Sequence, residues 1–69
     1  MQAELVMIGS ELLLGQNVDT NATYLAQQLA DLGLNLFYKT TVGDNLSRMV
    51  AVLRQALDRS EVVITSGGL

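Results

Sequence analysis

The chain has 69 residues, 49% of them hydrophobic and 16% charged, with a formal net charge of -3. That balance excludes a disordered segment, and four scattered basic residues (Lys39, Arg48, Arg54 and Arg59) exclude a nucleic-acid-binding patch. With no Cys and no His, neither a disulfide nor a Cys/His zinc site is available. No apolar run approaches the ~20 residues of a membrane span. The first residues carry Glu4 and no Lys or Arg, so they lack the basic start of a signal peptide. A cytoplasmic location is expected. A chain this short buries only about 60% of its unfolded surface, and a parallel α/β unit needs helices on both sheet faces. We therefore expect part of a larger domain, with an unpaired sheet edge and marginal stability in isolation.

Residues 3–8 are mostly continuous apolar and are followed by Gly9. This predicts a strand buried on both faces. The stretch that follows, with Gly9-Ser10-Glu11, the apolar Leu12-Leu13-Leu14 and then Gly15, predicts a loop. Its leucines either plug a hydrophobic pocket or meet another subunit. A helix is predicted from Asp19, since Ala22, Leu25, Leu29 and Leu32 recur at spacings of three and four. Asp19, Thr20 or Asn21 can cap it, and Gly33 ends it.

Residues 34–42 predict a second strand, with Leu34, Leu36, Tyr38 and Val42 on one face and Asn35, Lys39 and Thr41 on a wetter one. Gly43-Asp44-Asn45 is a loop and cap. A second helix is predicted over 46–58, with Leu46, Met49, Val50, Leu53 and Leu57 buried and Arg48, Arg54 and Arg59 facing out. Residues 61–65 form a third, β-branched strand. The order is β-α-β-α-β, half of a doubly wound sheet. Right-handed crossovers give spatial order 2-1-3. The loops after strands 1 and 3 then lie side by side at the carboxyl edge, where open α/β sheets bind ligands.

Four groups of residues could carry chemistry there. Gly67-Gly68 is either a plain turn or a place where backbone N–H groups approach an anion. Glu11 is either a solvated carboxylate or a contact to a metal or sugar hydroxyl. Asp19, Thr20 and Asn21 cap a helix, which is compatible with touching a ligand. Gly43-Asp44-Asn45 is a turn and cap that faces the same edge. The glycine spacing fits neither a P-loop nor a dinucleotide fingerprint. Without His or Cys, catalysis would rest on carboxylates and a hard divalent metal.

Gly9-Ser10-Glu11-Leu12-Leu13-Leu14-Gly15, Asp19-Thr20-Asn21-Ala22, Thr41-Val42-Gly43-Asp44-Asn45 and Ser66-Gly67-Gly68-Leu69 together resemble the N-terminal domain of the CinA (competence/damage-inducible protein A) family. That domain belongs to the molybdopterin-binding superfamily with MogA, MoaB and part of MoeA. Ser10 stands where many relatives have Thr, which keeps the hydroxyl. The resemblance implies a three-layer α/β/α fold with a parallel sheet, residues 1–69 being the N-terminal portion of one such domain. It implies a site for molybdopterin or a nucleotide. Gly9, Ser10 and Glu11 would lie in its first loop and Asp44 in its second, and Ser66, Gly67 and Gly68 would begin a phosphate-binding loop.

CinA proteins further imply a divalent-metal-dependent ADP-ribose pyrophosphatase that forms homo-oligomers, often with a separate deamidase domain. The family's key acidic residues follow the Gly-Gly-Leu segment, beyond Leu69, so no catalytic residue and no metal ligand is assigned within these 69 residues. The alternatives are a non-catalytic pterin- or nucleotide-binding module, or a segment serving only oligomerisation.

Overall fold

The structure, a computed structural model, describes residues 1–68. At its centre is β1 (Gln2–Ile8), which pairs in parallel with β2 (Asn35–Val42) on one side and β3 (Val62–Gly67) on the other. The sheet order is β2-β1-β3, as the crossover rule predicts. Helices α1 (Ser10–Leu13) and α2 (Thr20–Asp31) cover one face, and α3 (Leu46–Arg59) covers the other. This is the expected α/β/α arrangement. Residues 3–7 of β1 are all buried, which explains their nearly unbroken apolar run.

Alternation along β1 splits the core in two. Ala3, Leu5 and Met7 pack with Ala22 and Leu29 of α2, and with half-buried Leu12, Leu25, Leu34 and Leu36. Val6 packs on the opposite face with Val42 and Ala56, and with half-buried Met49, Val52 and Leu53. Burial of a side chain such as Leu5 or Met7 contributes about 1.5–3 kcal/mol.

The helix ends follow local chemistry. Asp19 caps α2 by accepting the Ala22 N–H at 3.0 Å, and Asn45 caps α3 by accepting the Arg48 N–H at 3.1 Å. At the end of α2, Gly33 has φ +79°, its N–H donates to the Ala30 carbonyl, and the Leu34 N–H donates to that of Leu29. Those two bonds, with Leu29 and Leu34 in one cluster, form a Schellman motif.

Several expectations are corrected. Residues 10–13 form one helical turn where a loop is expected. Only Leu12 of the leucine patch packs on the core, while Leu13 and Leu14 are exposed. On α3, Leu46 and Leu57 are exposed, at 73% and 66%, and the stripe that meets the sheet is Met49, Val52, Leu53 and Ala56. Strand β3 continues through Ser66 and Gly67, which pair with Met7 and Ile8.

A further correction concerns β2. A bulge sets Leu36 opposite Ala3 and Tyr38 opposite Glu4, leaving Phe37 as the extra, exposed residue. Side-chain parity therefore inverts at Phe37. Leu36 packs on the α2 side, and Val42 packs on the α3 side, so the predicted common face does not exist.

The fully buried carboxylate of Glu4 lies on β1 beside the bulge, opposite Tyr38. Arg59, expected to face out, grips it through Nε to Oε1 at 3.0 Å and Nη2 to Oε2 at 2.7 Å. The Ser60 hydroxyl donates to Oε1 at 2.7 Å and accepts from Gln2 Nε2 at 3.2 Å. The Arg59 guanidinium stacks over the Tyr38 ring, 3.5 Å from its centroid. A buried charge persists only when paired and hydrogen-bonded in this way.

The hydrogen bonds from Arg59 hold the Glu4 carboxyl below its ordinary value near 4.5; burial opposes that shift, and the Ser60 hydroxyl and the Arg59 charge reinforce it. Because the folded value lies below the unfolded one, this stabilisation is complete above about pH 4.5 and is lost as pH falls through the folded value. Glu4→Gln is expected to lower unfolding free energy by roughly 2 kcal/mol at neutral pH. In urea titrations the gap between the two proteins should close in acid below that range; a gap independent of pH would show that ionised Glu4 is not the stabilising group.

Candidate functional site

At the carboxyl edge the turn after β1 is fixed by hydrogen bonds. After β1 the Gly9 N–H donates to the Val42 carbonyl at 2.9 Å, while the Gly9 carbonyl accepts from Leu12 and Leu13 at 3.2 and 3.1 Å. This starts α1 immediately at the strand end. The Glu11 carbonyl then accepts from Gln16 at 2.8 Å and Asn17 at 3.2 Å. Between them Gly15 turns the chain with φ +74°. These bonds return the chain to the α2 cap at Asp19.

The result is a cavity of about 510 Å³ at the carboxyl ends of β1 and β3. Met7, Ile8, Leu12 and Val18 give it an apolar side. Glu11, Asn17, Asp19, Thr20, Asn21 and Ser66 supply polar groups, and the Gly67-Gly68 backbone closes the β3 end. Its volume lies within the ~300–1,000 Å³ usual for small-molecule sites.

Gly67 is required by close approach: it has φ +94°, and a methyl group on it would collide with the Ile8 carbonyl oxygen of the paired strand. At Gly9 the backbone is extended, and a methyl group would stand 2.7 Å from Glu11 Oε1, the end of a flexible side chain that can move aside. The Glu11 carboxylate is thus folded back over Gly9.

Of the residues singled out by sequence, Glu11, Asp19, Thr20, Asn21, Ser66, Gly67 and Gly68 line the cavity. Gly9 and Ser10 lie behind it. The Ser10 hydroxyl accepts the Asp44 N–H at 3.1 Å and so ties the loop after β1 to the loop after β2. Asp44 itself is exposed and is not among the lining residues. Asn17 and Val18 were not singled out individually; their place between Gly15 and a predicted cap is the signal that brings them to the rim.

Glu11 and Asp19 are the two carboxylates of the cavity. Asp19 Oδ1 is used by the α2 cap, and its Oδ2 is buried with no hydrogen-bond partner. Among the described residues no three Asp, Glu, His or Cys side chains form a metal-binding group. A hard divalent ion takes six or more oxygens, so these two carboxylates would supply part of a shell, with water and ligand oxygens completing it. No helix among the described residues is long and apolar enough to cross a membrane.

A family model described as "Probable molybdopterin binding domain" matches residues 4–69. The chain belongs to this family. The chain is similar over all its 69 residues to a "Putative competence-damage inducible protein" of Symbiobacterium thermophilum, at 58% identity over 16% of that protein. It is 55% identical to a protein of the same name from Caldicellulosiruptor saccharolyticus, again over 100% of this chain and 17% of the relative. A "CinA-like protein" of Kosmotoga olearia is 51% identical over the same span. The chain thus covers about a sixth of the length of the curated relatives it matches.

The crystal structure of the CinA protein of unknown function from Thermoplasma acidophilum superposes with a TM-score of 0.95 at 34% identity, over 99% of this chain and 40% of that one. The expected CinA resemblance and fold are both met.

Gly67→Ala is expected to destabilise the molybdopterin-binding-type domain by roughly 2–4 kcal/mol, because a strained backbone and a backbone collision add. Gly15→Ala, where the left-handed φ is the sole obstacle and open space surrounds the site, should cost about 1–2 kcal/mol. Thermal melts of the two variants compare them directly; equal losses would mean the Ile8 carbonyl does not confine Gly67.

Proposed function

We propose that this chain builds one wall of a nucleotide- or pterin-binding site in a CinA-type protein, and that the site serves divalent-metal-dependent hydrolysis of ADP-ribose. The observation that carries the reading is the cavity where β1, β3 and the start of α2 converge, with two carboxylates and four uncharged polar side chains around it. Membership of the molybdopterin-binding family and the similarity to CinA proteins support it.

In the reaction, water adds across the diphosphate bridge, one P–O bond breaks, and AMP and ribose 5-phosphate leave. A bound divalent ion supplies charge neutralisation on the diphosphate and acidifies water. The roles of this chain's own residues are narrower. Glu11 and Asp19 hold positive charge at the cavity, and Asn17, Thr20, Asn21 and Ser66 orient the ligand through hydrogen bonds. The Gly67-Gly68 backbone lies against the ligand at the β3 end.

The test is AMP release from ADP-ribose by the protein that carries this chain, with and without a chelator. We expect release with a divalent metal, loss of release on chelation, and a fall of about tenfold or more in kcat/KM for Glu11→Gln. If no divalent metal supports AMP release, yet pterin or adenine nucleotides still raise the melting temperature, the site is a binding module without turnover.

A further inference from the structure

Glu4 and Arg59 form a two-pronged ion pair at the amino end of the sheet, with the carboxylate fully buried. Such a pair adds little stability over apolar side chains of similar size, because the loss of water offsets the attraction. Its geometry, however, is demanding. Two N–H groups of one guanidinium meet two oxygens of one carboxylate, at 3.0 and 2.7 Å. The Ser60 hydroxyl and the Tyr38 ring hold the same two groups from other directions. A contact of this kind fixes orientation.

α3 needs its orientation fixed. Met49, Val52, Leu53 and Ala56 meet the sheet, yet Leu46, Val50, Leu53 and Leu57 form a second apolar stripe of equal regularity. At about 100° per residue the two stripes are centred roughly 80° apart around the helix. Apolar contact by itself does not choose between them. Arg59 does, since it flanks the first stripe on the side away from the second. Turning α3 toward the second stripe carries Arg59 off Glu4 and leaves a buried carboxylate unpaired.

The setting of α3 is felt at its other end. The helix has 14 residues and spans about 21 Å. At its start Asn45 caps it, and the adjacent Asp44 donates its N–H to the Ser10 hydroxyl at 3.1 Å. Gly43 lies close under the turn after β1, where a methyl group on it would stand 3.3 Å from Leu13 Cδ2. The same turn carries Glu11 into the cavity.

We infer that Glu4 and Arg59 are positioning residues: they set the rotation of α3 on the sheet, and through the helix they hold the Ser10–Asp44 contact that steadies the turn bearing Glu11. The effect holds whichever ligand the cavity takes and does not depend on hydrolysis.

Hydrogen exchange followed by mass spectrometry on the protein that carries this chain tests the inference. The variant is Glu4→Met with Arg59→Met, which removes both charges together and so leaves neither unpaired. Amides of residues 44–48 should exchange roughly tenfold faster, as the Ser10–Asp44 contact and the cap loosen. Amides of β1 should keep their protection, which a loss of stability alone would not allow. Ser10→Ala, with the ion pair intact, should speed exchange at Asp44 in the same way.

Unaltered exchange over 44–48 in the double variant overturns the inference. So does a loss of protection there that merely follows an equal loss in β1, because the pair would then serve stability alone. Unaltered exchange at Asp44 in Ser10→Ala overturns it as well. Should the double variant fail to fold, Arg59→Lys, which keeps the charge and loses the two-pronged grip, is read by the same two criteria. None of these readings uses ligand or turnover, so they stand apart from the AMP-release assay.

Discussion

β1 has no free edge and no wet face, and the rest of the structure follows from that. A strand hydrogen-bonded on both sides and covered on both faces must have parallel neighbours that return through helices, one on each face. The right-handed crossover then fixes the order β2-β1-β3 and brings the carboxyl ends of all three strands to one edge. Such a strand also has no water to offer a charge. Glu4, buried in its middle, is tolerable because Arg59 and Ser60 at the end of α3 supply the donors. The pairing pins the last turn of α3 to the sheet, and Tyr38 completes it from β2 through the bulge at Phe37.

The polar clasp and the cavity sit at opposite ends of the same strand. Gln2, Glu4 and Ser60 are gathered near the amino end of β1, while Met7 and Ile8 form the cavity floor at its carboxyl end. The buried ion pair and the cavity lining are therefore assigned to different residues of one strand. At the carboxyl end the constraint is steric. The Ile8 carbonyl leaves room for Gly67 and for nothing larger, and Gly68 lies against the Ile8 side chain. On the other side, Gly9 and Ser10 link the loop after β1 to that after β2. The loop after β1 is thus held from both flanks, and Glu11 projects from a short, well-anchored turn.

The family motif carries four segments, but the geometry divides them. Segments around Glu11, Asp19 and Gly67 converge on the cavity, whereas Asp44 stands exposed beyond Ser10. A parallel sheet separates neighbouring strand ends by about 4.8 Å per strand, and twist widens the gap. With β2 and β3 on opposite sides of β1, their carboxyl ends lie on opposite flanks of the first loop. Ser10 is the hinge of that division, because its hydroxyl faces Asp44 while its neighbour Glu11 lines the cavity.

Periodicity and punctuation in the sequence determined the order of strands and helices, the caps at Asp19 and Asn45, the stop at Gly33, and the edge at which the glycine-bearing loops gather. These depend on neighbours a few residues apart, where hydrogen-bond geometry and φ preference act locally. What needed the tertiary structure was every choice between nearly equal local options. On α3, Leu46, Val50, Leu53 and Leu57 form as regular a stripe as Met49, Val52, Leu53 and Ala56. The second won because the small Ala56 lets the helix approach the sheet closely and its face brings Arg59 over Glu4. In β2 alternation alone placed Leu36 and Val42 together, and a single bulged residue set them on opposite faces, an event with no signature in a period of two. Glu4 and Arg59 lie 55 residues apart, and only the fold could show that a lone acid in an apolar strand had its partner waiting at a helix end.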